Sequence, residues 1–169
     1  MRASTQFPIA VHALLMIAYF PDTRITSEMV ATSVGTNPVV VRKLYQKLKR
    51  AGILSVQRGT GSTELARAAA DITLWDVYEA VEPHEVEELF RFSERLSGVC
   101  KVGGSIRELL GLHLQAAIAA LKDSLSSTSL EDLRAQLEKH HERGIDFPAI
   151  VAWYEENGFV DAGSEPDRP

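Results

Sequence analysis

Apolar residues recur along this chain at two different periods, and the period changes mark out its elements. Near the start, Phe7, Val11, Leu14, Leu15 and Ala18 fall at helical spacing, with Thr5 placed to cap the helix and Pro8 inside the tolerant first turn. Pro21 and Asp22 end this element, and Ile25 leads to Thr26 or Ser27, either of which can cap a short second helix through about Ser33. Gly35 marks a tight turn. Asn37 followed by Pro38 then opens a third helix: Asn caps free amides, and Pro at the first helical position loses no hydrogen bond. That helix runs to Ala51 and Gly52 closes it. At about 100° per residue, Val41, Leu44, Tyr45 and Leu48 share one arc, while Arg42, Lys43, Gln46, Lys47, Lys49 and Arg50 occupy the rest. Two helices joined by a short turn containing Gly make a helix-turn-helix pattern.

After Gly52 the pattern shifts toward alternation. Residues Ile53 to Gln57 predict a strand, Arg58 to Ser62 a glycine-containing tip and Thr63 to Leu65 a returning strand, which together form a wing. Thr73 can cap a further helix with Leu74, Val77, Tyr78 and Val81 on its apolar face and Trp75 beside it, as core or interface. Ser105 and Glu108 have capping-box spacing at the head of a long helix carrying Ile106, Leu109, Leu110, Leu114, Ala117, Ile118, Leu121 and Leu125. Thr128 caps another helix with Leu130, Leu133 and Leu137 at its apolar positions and His140-His141 near its end, and Gly144 stops it. An amphipathic stretch from Phe147 to Asn157 precedes a polar tail, Asp161 to Pro169, expected to be disordered.

These elements predict a mainly α fold with a small β wing. The expected parts are a winged helix-turn-helix domain over residues 1–82, a connecting or sensor loop over 83–104, a dimerisation helix over 105–127 and a C-terminal helical extension with its tail over 128–169. The long helix is apolar on more than one side, so a small winged domain cannot cover it. Its residues Ile106, Leu109, Leu110, His113, Leu114, Ala117, Ile118 and Leu121 are therefore expected to form a two-fold homodimer interface, with core packing inside one chain as the alternative.

Charge sharpens this picture. The net charge is −5, but residues 1–67 carry +6 and residues 68–169 carry −11. Between Thr36 and Arg58 lie six basic residues and no acidic one, the footprint of a surface that meets phosphates; a solvated helix face is the plainer reading. Double-stranded DNA is the expected partner. Thr26, Ser27, Asn37, Pro38, Val39, Arg42 and Lys43 sit at the helix starts that face the major groove, where Val39 can touch thymine methyls and Arg42 can pair with guanine. Lys47, Lys49 and Arg50 lie further along and would hold phosphates. Arg58 at the wing base, with Gly59 and Gly61 in the tip, would enter an adjacent minor groove.

Other chemistry is sparse. The single cysteine, Cys100, excludes an internal disulfide and any all-cysteine metal site within one chain, so no cofactor is expected. Lys101 and a nearby helix N-terminus would favour its thiolate, making it a candidate redox sensor; a small buried hydrophobe is the alternative. The acidic run between Glu82 and Glu94 has no histidine-rich partner set. The glycine tip lacks the Lys-Ser/Thr of a phosphate loop. No nucleophile–base pair can be assembled, so an enzyme is not expected. The apolar run from Ile9 to Phe20 is too short to span a bilayer and there is no cleavable leader, which predicts a cytoplasmic protein.

Several ordered motifs carry a family resemblance. The run Asn37-Pro-Val-Val-Val-Arg-Lys-Leu44, then Leu48, Ala51-Gly-Ile-Leu54, Arg58-Gly-Thr-Gly61 and Ile72 to Val81 resembles the Rrf-type winged helix-turn-helix regulators, the family of IscR, NsrR and CymR. Cys100 to Ile106 is similar to the loop before their long helix. The resemblance spans roughly Met1 to Leu125 and implies a homodimeric bacterial regulator, usually a repressor, on a pseudo-palindromic operator. Its cluster-binding members use three cysteines in that loop and an acidic residue where this chain has Arg42; here only Cys100 matches, which implies a subgroup without an iron–sulfur cluster. Ser62 and Thr63 replace familiar wing glycines. A winged-helix module that docks a basic protein partner is the second function to separate from this one, and the inducing effector is not legible.

Overall fold

The computed structural model describes residues 4–21, 23–56, 62–82, 90, 92–93, 98–141 and 156. Helix α1, Gln6–Tyr19, starts where Thr5 predicts, yet Thr5 makes no side-chain cap; the Ser4 hydroxyl accepts from the Gln6 amide instead, at 3.1 Å. The small side chains of Ala10 and Ala13 are fully buried with Leu14, so neighbouring helices approach α1 closely. The helix is apolar nearly all round, which suits the central position it takes among the other elements.

Helix α2, Ser27–Val34, is capped by Thr26, whose hydroxyl accepts from the Met29 amide at 3.2 Å. Gly35 ends it in the left-handed region at φ 66°, and the Thr36 amide returns to the Ala31 carbonyl at 2.9 Å. Helix α3, Pro38–Arg50, begins with the Asn37 side chain accepting from the Val39 amide at 2.8 Å. Its predicted apolar arc, Val41, Leu44, Tyr45 and Leu48, is the buried face. Gly52, at φ 68°, turns the chain into strand β1, Leu54–Val56, which pairs antiparallel with β2, Thr63–Leu65, in the register Leu54 to Leu65, Ser55 to Glu64 and Val56 to Thr63. A 3-10 turn, Ala69–Asp71, leads to helix α4, Leu74–Val81. There Thr73 and Asp76 cap each other's ends of the first turn, with the Asp76 amide donating to the Thr73 hydroxyl and the Thr73 amide to the Asp76 carboxylate. The buried residues of α4 are Trp75, Val77 and Val81, so Trp75 belongs to the face rather than beside it. Its ring stacks on Tyr78 at 5.4 Å, and Lys122 places its ammonium 5.2 Å from the ring centroid.

Two expectations in the second half are corrected. The long helix α5, Lys101–Ser126, begins four residues before Ser105, with Cys100 at its N-cap position. Val102 extends the spacing of Ile106 and Leu109 backward through Gly103 and Gly104, and the Ser105/Glu108 pair lies inside the helix. The last described helix, α6, Leu130–His141, is not an appendage. Leu130 is fully buried in the same core as α1, its amide donates to the Ile72 carbonyl at 2.8 Å, and the Leu74 amide donates to the Thr128 carbonyl at 2.9 Å. The cap of α6 is Ser129 rather than Thr128: its hydroxyl accepts from the Asp132 amide at 3.1 Å and its own amide donates to the Asp132 carboxylate at 2.8 Å. The winged domain thus closes with a segment 48 residues beyond Glu82. The amphipathic stretch after residue 146 and the polar tail lie outside the described residues, apart from Glu156. Among the described residues no helix is long and apolar enough to cross a membrane.

Candidate nucleic-acid interface

The outward side of the helix-turn-helix is built by α3. With Val41, Leu44, Tyr45 and Leu48 locked inward, Asn37, Val39, Val40, Arg42, Lys43, Gln46 and Arg50 are exposed. Val39 stands half exposed at the helix start, an apolar side chain with no partner in the core. Val40 and Gln46 share this surface and were not singled out by their pattern; their exposure follows from the helix being buried along one arc only. Pro38 is half-buried, and the Thr26 hydroxyl is occupied by its cap. The wing stem pairs as an antiparallel hairpin, but its first strand is Leu54–Val56 and leaves out the predicted Ile53, while Gln57, Arg58, Gly59 and Gly61 lie outside the described residues.

Arg42, expected from the sequence to pair with guanine, is held by α2. Its Nε donates to the Ser27 hydroxyl at 3.1 Å and its Nη2 to Glu28 Oε1 at 2.8 Å, while the Ser27 hydroxyl donates to Glu28 Oε2 at 3.0 Å. The Glu28 carboxyl is lowered to about 2 by its own backbone amide first, then by Arg42 and Ser27. The buried Tyr45 hydroxyl has no hydrogen-bond partner among the described residues, and burial, then the Glu28 charge, push its pKa up.

Lys47 is a correction. It is half-buried and donates to Gln6 Oε1 at 2.8 Å and, in a very short contact, to the Val81 carbonyl at the end of α4. It lies at the edge of the buried arc, and its flexible stem carries the ammonium to carbonyls that the last turn of α4 leaves open. Its hydrogen bonds therefore tie α3 to α1 and α4, whereas Lys43 and Arg50 are exposed and Lys49 is half-covered.

On α5 no residue is fully buried. Ile106, Leu114 and Ile118 are half-covered by their own chain, whereas Leu109, Leu110, His113, Ala117 and Leu121 are exposed, as are Leu112 and Val102. The expected interface is thus divided between a seam within the chain and an open apolar side. Cys100 is exposed, not the buried hydrophobe of the alternative reading. Its pKa is lowered by the amides of Gly103 and then Val102, the open donors of the helix start, although no cap hydrogen bond of ordinary geometry forms.

Comparison with known proteins follows the same lines. Residues 3–136 match the Rrf2 family, described as iron-dependent transcriptional regulators. The match therefore extends into the first half of α6, beyond the Leu125 limit of the sequence resemblance. The chain is 37% identical over 134 residues to YwnA of Bacillus subtilis strain 168, a candidate HTH-type transcriptional regulator, covering 79% of this chain and 98% of that protein. A solved structure of a candidate DNA-binding protein superposes with a TM-score of 0.60 at 32% identity, over 76% of this chain and 98% of the other. CymR, the global cysteine regulator of B. subtilis, shares the fold with a TM-score of 0.59 at 21% identity, over 80% of this chain and 97% of that one. The family description speaks of iron, and the donor set here does not fit a cysteine-held cluster: the chain has one cysteine, and among the described residues no three His, Cys, Asp or Glu side chains gather. The chain belongs to the Rrf2 family of winged-helix, DNA-binding transcription regulators, which are not enzymes.

Proposed function

We propose that the protein is a homodimeric repressor of the bacterial cytoplasm that binds a pseudo-palindromic operator, holds no resident iron–sulfur cluster and answers to oxidation of Cys100. The observation that carries this reading is the exposed side of α3: Asn37, Val39, Lys43, Gln46 and Arg50 stand in solvent beside the wing stem, on a helix whose other side is fixed in the core. An apolar contact at the start and cations further along suit a helix lying N-terminus first in a major groove. The open leucines of α5 support the dimer. Leu109 and Leu112 are 65% and 72% exposed, a surface that a two-fold partner would cover. Dimerisation would present two copies of α3 about one helical turn of DNA apart.

Selection of bound fragments from the source genome, with and without hydrogen peroxide, tests the reading. The expected result is an inverted repeat bound with strong salt dependence. Peroxide, which oxidises a single thiolate to a sulfenic acid, should change its affinity in the wild type and not in Cys100→Ser. Dimers that select no operator would identify a protein-docking module and overturn the proposal. Equal affinity with and without peroxide would remove the thiol response alone.

A further inference from the structure

The guanidinium of Arg42 has two edges with different occupancy. The side-on edge is closed, Nε by the Ser27 hydroxyl at 3.1 Å and Nη2 by Glu28 Oε1 at 2.8 Å. The end-on edge, formed by Nη1 and the second hydrogen of Nη2, meets no acceptor among the described residues. Two coplanar donors in that arrangement match O6 and N7 of guanine in the major groove. The clamp is itself braced. Ser27 donates to the other oxygen of the same carboxylate at 3.0 Å, and both clamping residues sit in the first turn of α2, whose start is set by the Thr26 cap.

Stability does not account for the clamp. The side chains of Arg42 and Glu28 are 55% and 59% exposed, and an ion pair in that setting contributes little to folding. The core already joins the two helices through Met29, Val30, Val41 and Leu44. A carboxylate on a surface that approaches phosphates also opposes binding unless it serves another purpose there. Fixing the plane of a long, rotamer-rich side chain before DNA arrives is such a purpose.

We propose that Glu28, assisted by Ser27, is a specificity-determining positioning residue that aims the end-on edge of Arg42 at one guanine in each half-site. This rests on α3 being the recognition helix. The clamp holds only the side-on edge, so Arg42 need not release Glu28 to read a base. Lysine in place of Arg42 would lose the fixed plane, since its three ammonium donors are tetrahedral and rotate freely.

The test uses the full-length protein and a duplex selected by the wild type from a random library, followed by affinities for every single-base substitution in it. The wild type should prefer guanine at one position per half-site by about 5- to 150-fold. Arg42→Ala should flatten that position, and Glu28→Ala should flatten the same position while leaving the others unchanged. The double variant should match Arg42→Ala alone, because both changes remove one contact. Glu28→Gln, whose amide oxygen still accepts from Nη2, should recover part of the preference. Thermal midpoints should move by no more than about 4 °C. Tighter binding by Glu28→Ala with an unchanged base profile would show that Glu28 only repels phosphate, and effects of the two residues at different positions would equally overturn the proposal. A wild type that selects no preferred sequence defeats the underlying reading of α3, and does so before any variant is made.

Discussion

Lys43 and Lys47 stand four positions apart on α3 with the same chemistry and opposite surroundings. Lys43 is exposed, while Lys47 reaches back to Gln6 and the Val81 carbonyl. Lys47→Ala should therefore destabilise the fold by about 1–2 kcal/mol, because it removes charge-assisted hydrogen bonds in a half-buried place. In a denaturant titration its midpoint should fall while the slope of log affinity against log salt stays unchanged. Lys43→Ala should do the reverse, reducing that slope by about one contact's worth and leaving the midpoint in place. Periodicity placed both lysines off the apolar arc correctly; which of two basic residues turns inward depends on α1 and α4, which local spacing does not contain. Glu28 was passed over for the same reason, since its partner lies on another helix. Its carboxyl is lowered to about 2 in the folded chain, so its contribution to stability is present above its ordinary value near 4.5 and is lost as pH falls toward 2. Replacement by Gln should flatten the dependence of stability on pH in that window, by a small amount that added salt reduces further, because the pair is more than half exposed.

Helix starts were legible at three of the caps and missed by one residue at Ser129, where Thr128 offers the same hydroxyl. Thr26, Asn37 and Thr73 each bond the amides that their positions predict, and Gly35 and Gly52 take the positive φ that their turns require. Asn37→Ala should accordingly cost about 1 kcal/mol, read as a lower thermal midpoint, by leaving the Val39 amide without its acceptor. The start of α5 was misplaced because Ser105 and Glu108 satisfy a local pattern that also fits an exposed helix interior. The packing of α6 was not legible at all. Leu130 has the same spacing whether its helix hangs free or closes the core, and only the backbone bonds to Ile72 and Leu74 distinguish the two. Leu130→Ala should destabilise the winged domain by about 2–5 kcal/mol in equilibrium denaturation, the range for a fully buried leucine. A free helix would leave the midpoint unchanged.

The chain as a whole is electrically two-sided, +6 through residue 67 and −11 beyond it. That asymmetry was legible, and it sets the basic surface of α3 against an acidic second half that duplex DNA would repel. The open side of α5 gives the molecule its other large-scale property. If the proposed homodimer forms through this side, Leu109→Asp with Leu112→Asp should leave a monomer in sedimentation, because the proposed two-fold contact would desolvate two carboxylates, and should weaken DNA binding while leaving the helical content unchanged. The closing of the core by Leu130 has a further consequence during synthesis. A ribosome adds about 5–20 residues per second, so about 2–10 seconds separate the emergence of Val81 from that of Leu130. Throughout that interval the nascent winged domain has all its helix-turn-helix residues and an unfilled seam along α1 and Ile72. The growing protein can therefore complete its recognition surface well before it completes the core that holds it, and the segment most exposed to premature association is the one that the last helix later covers.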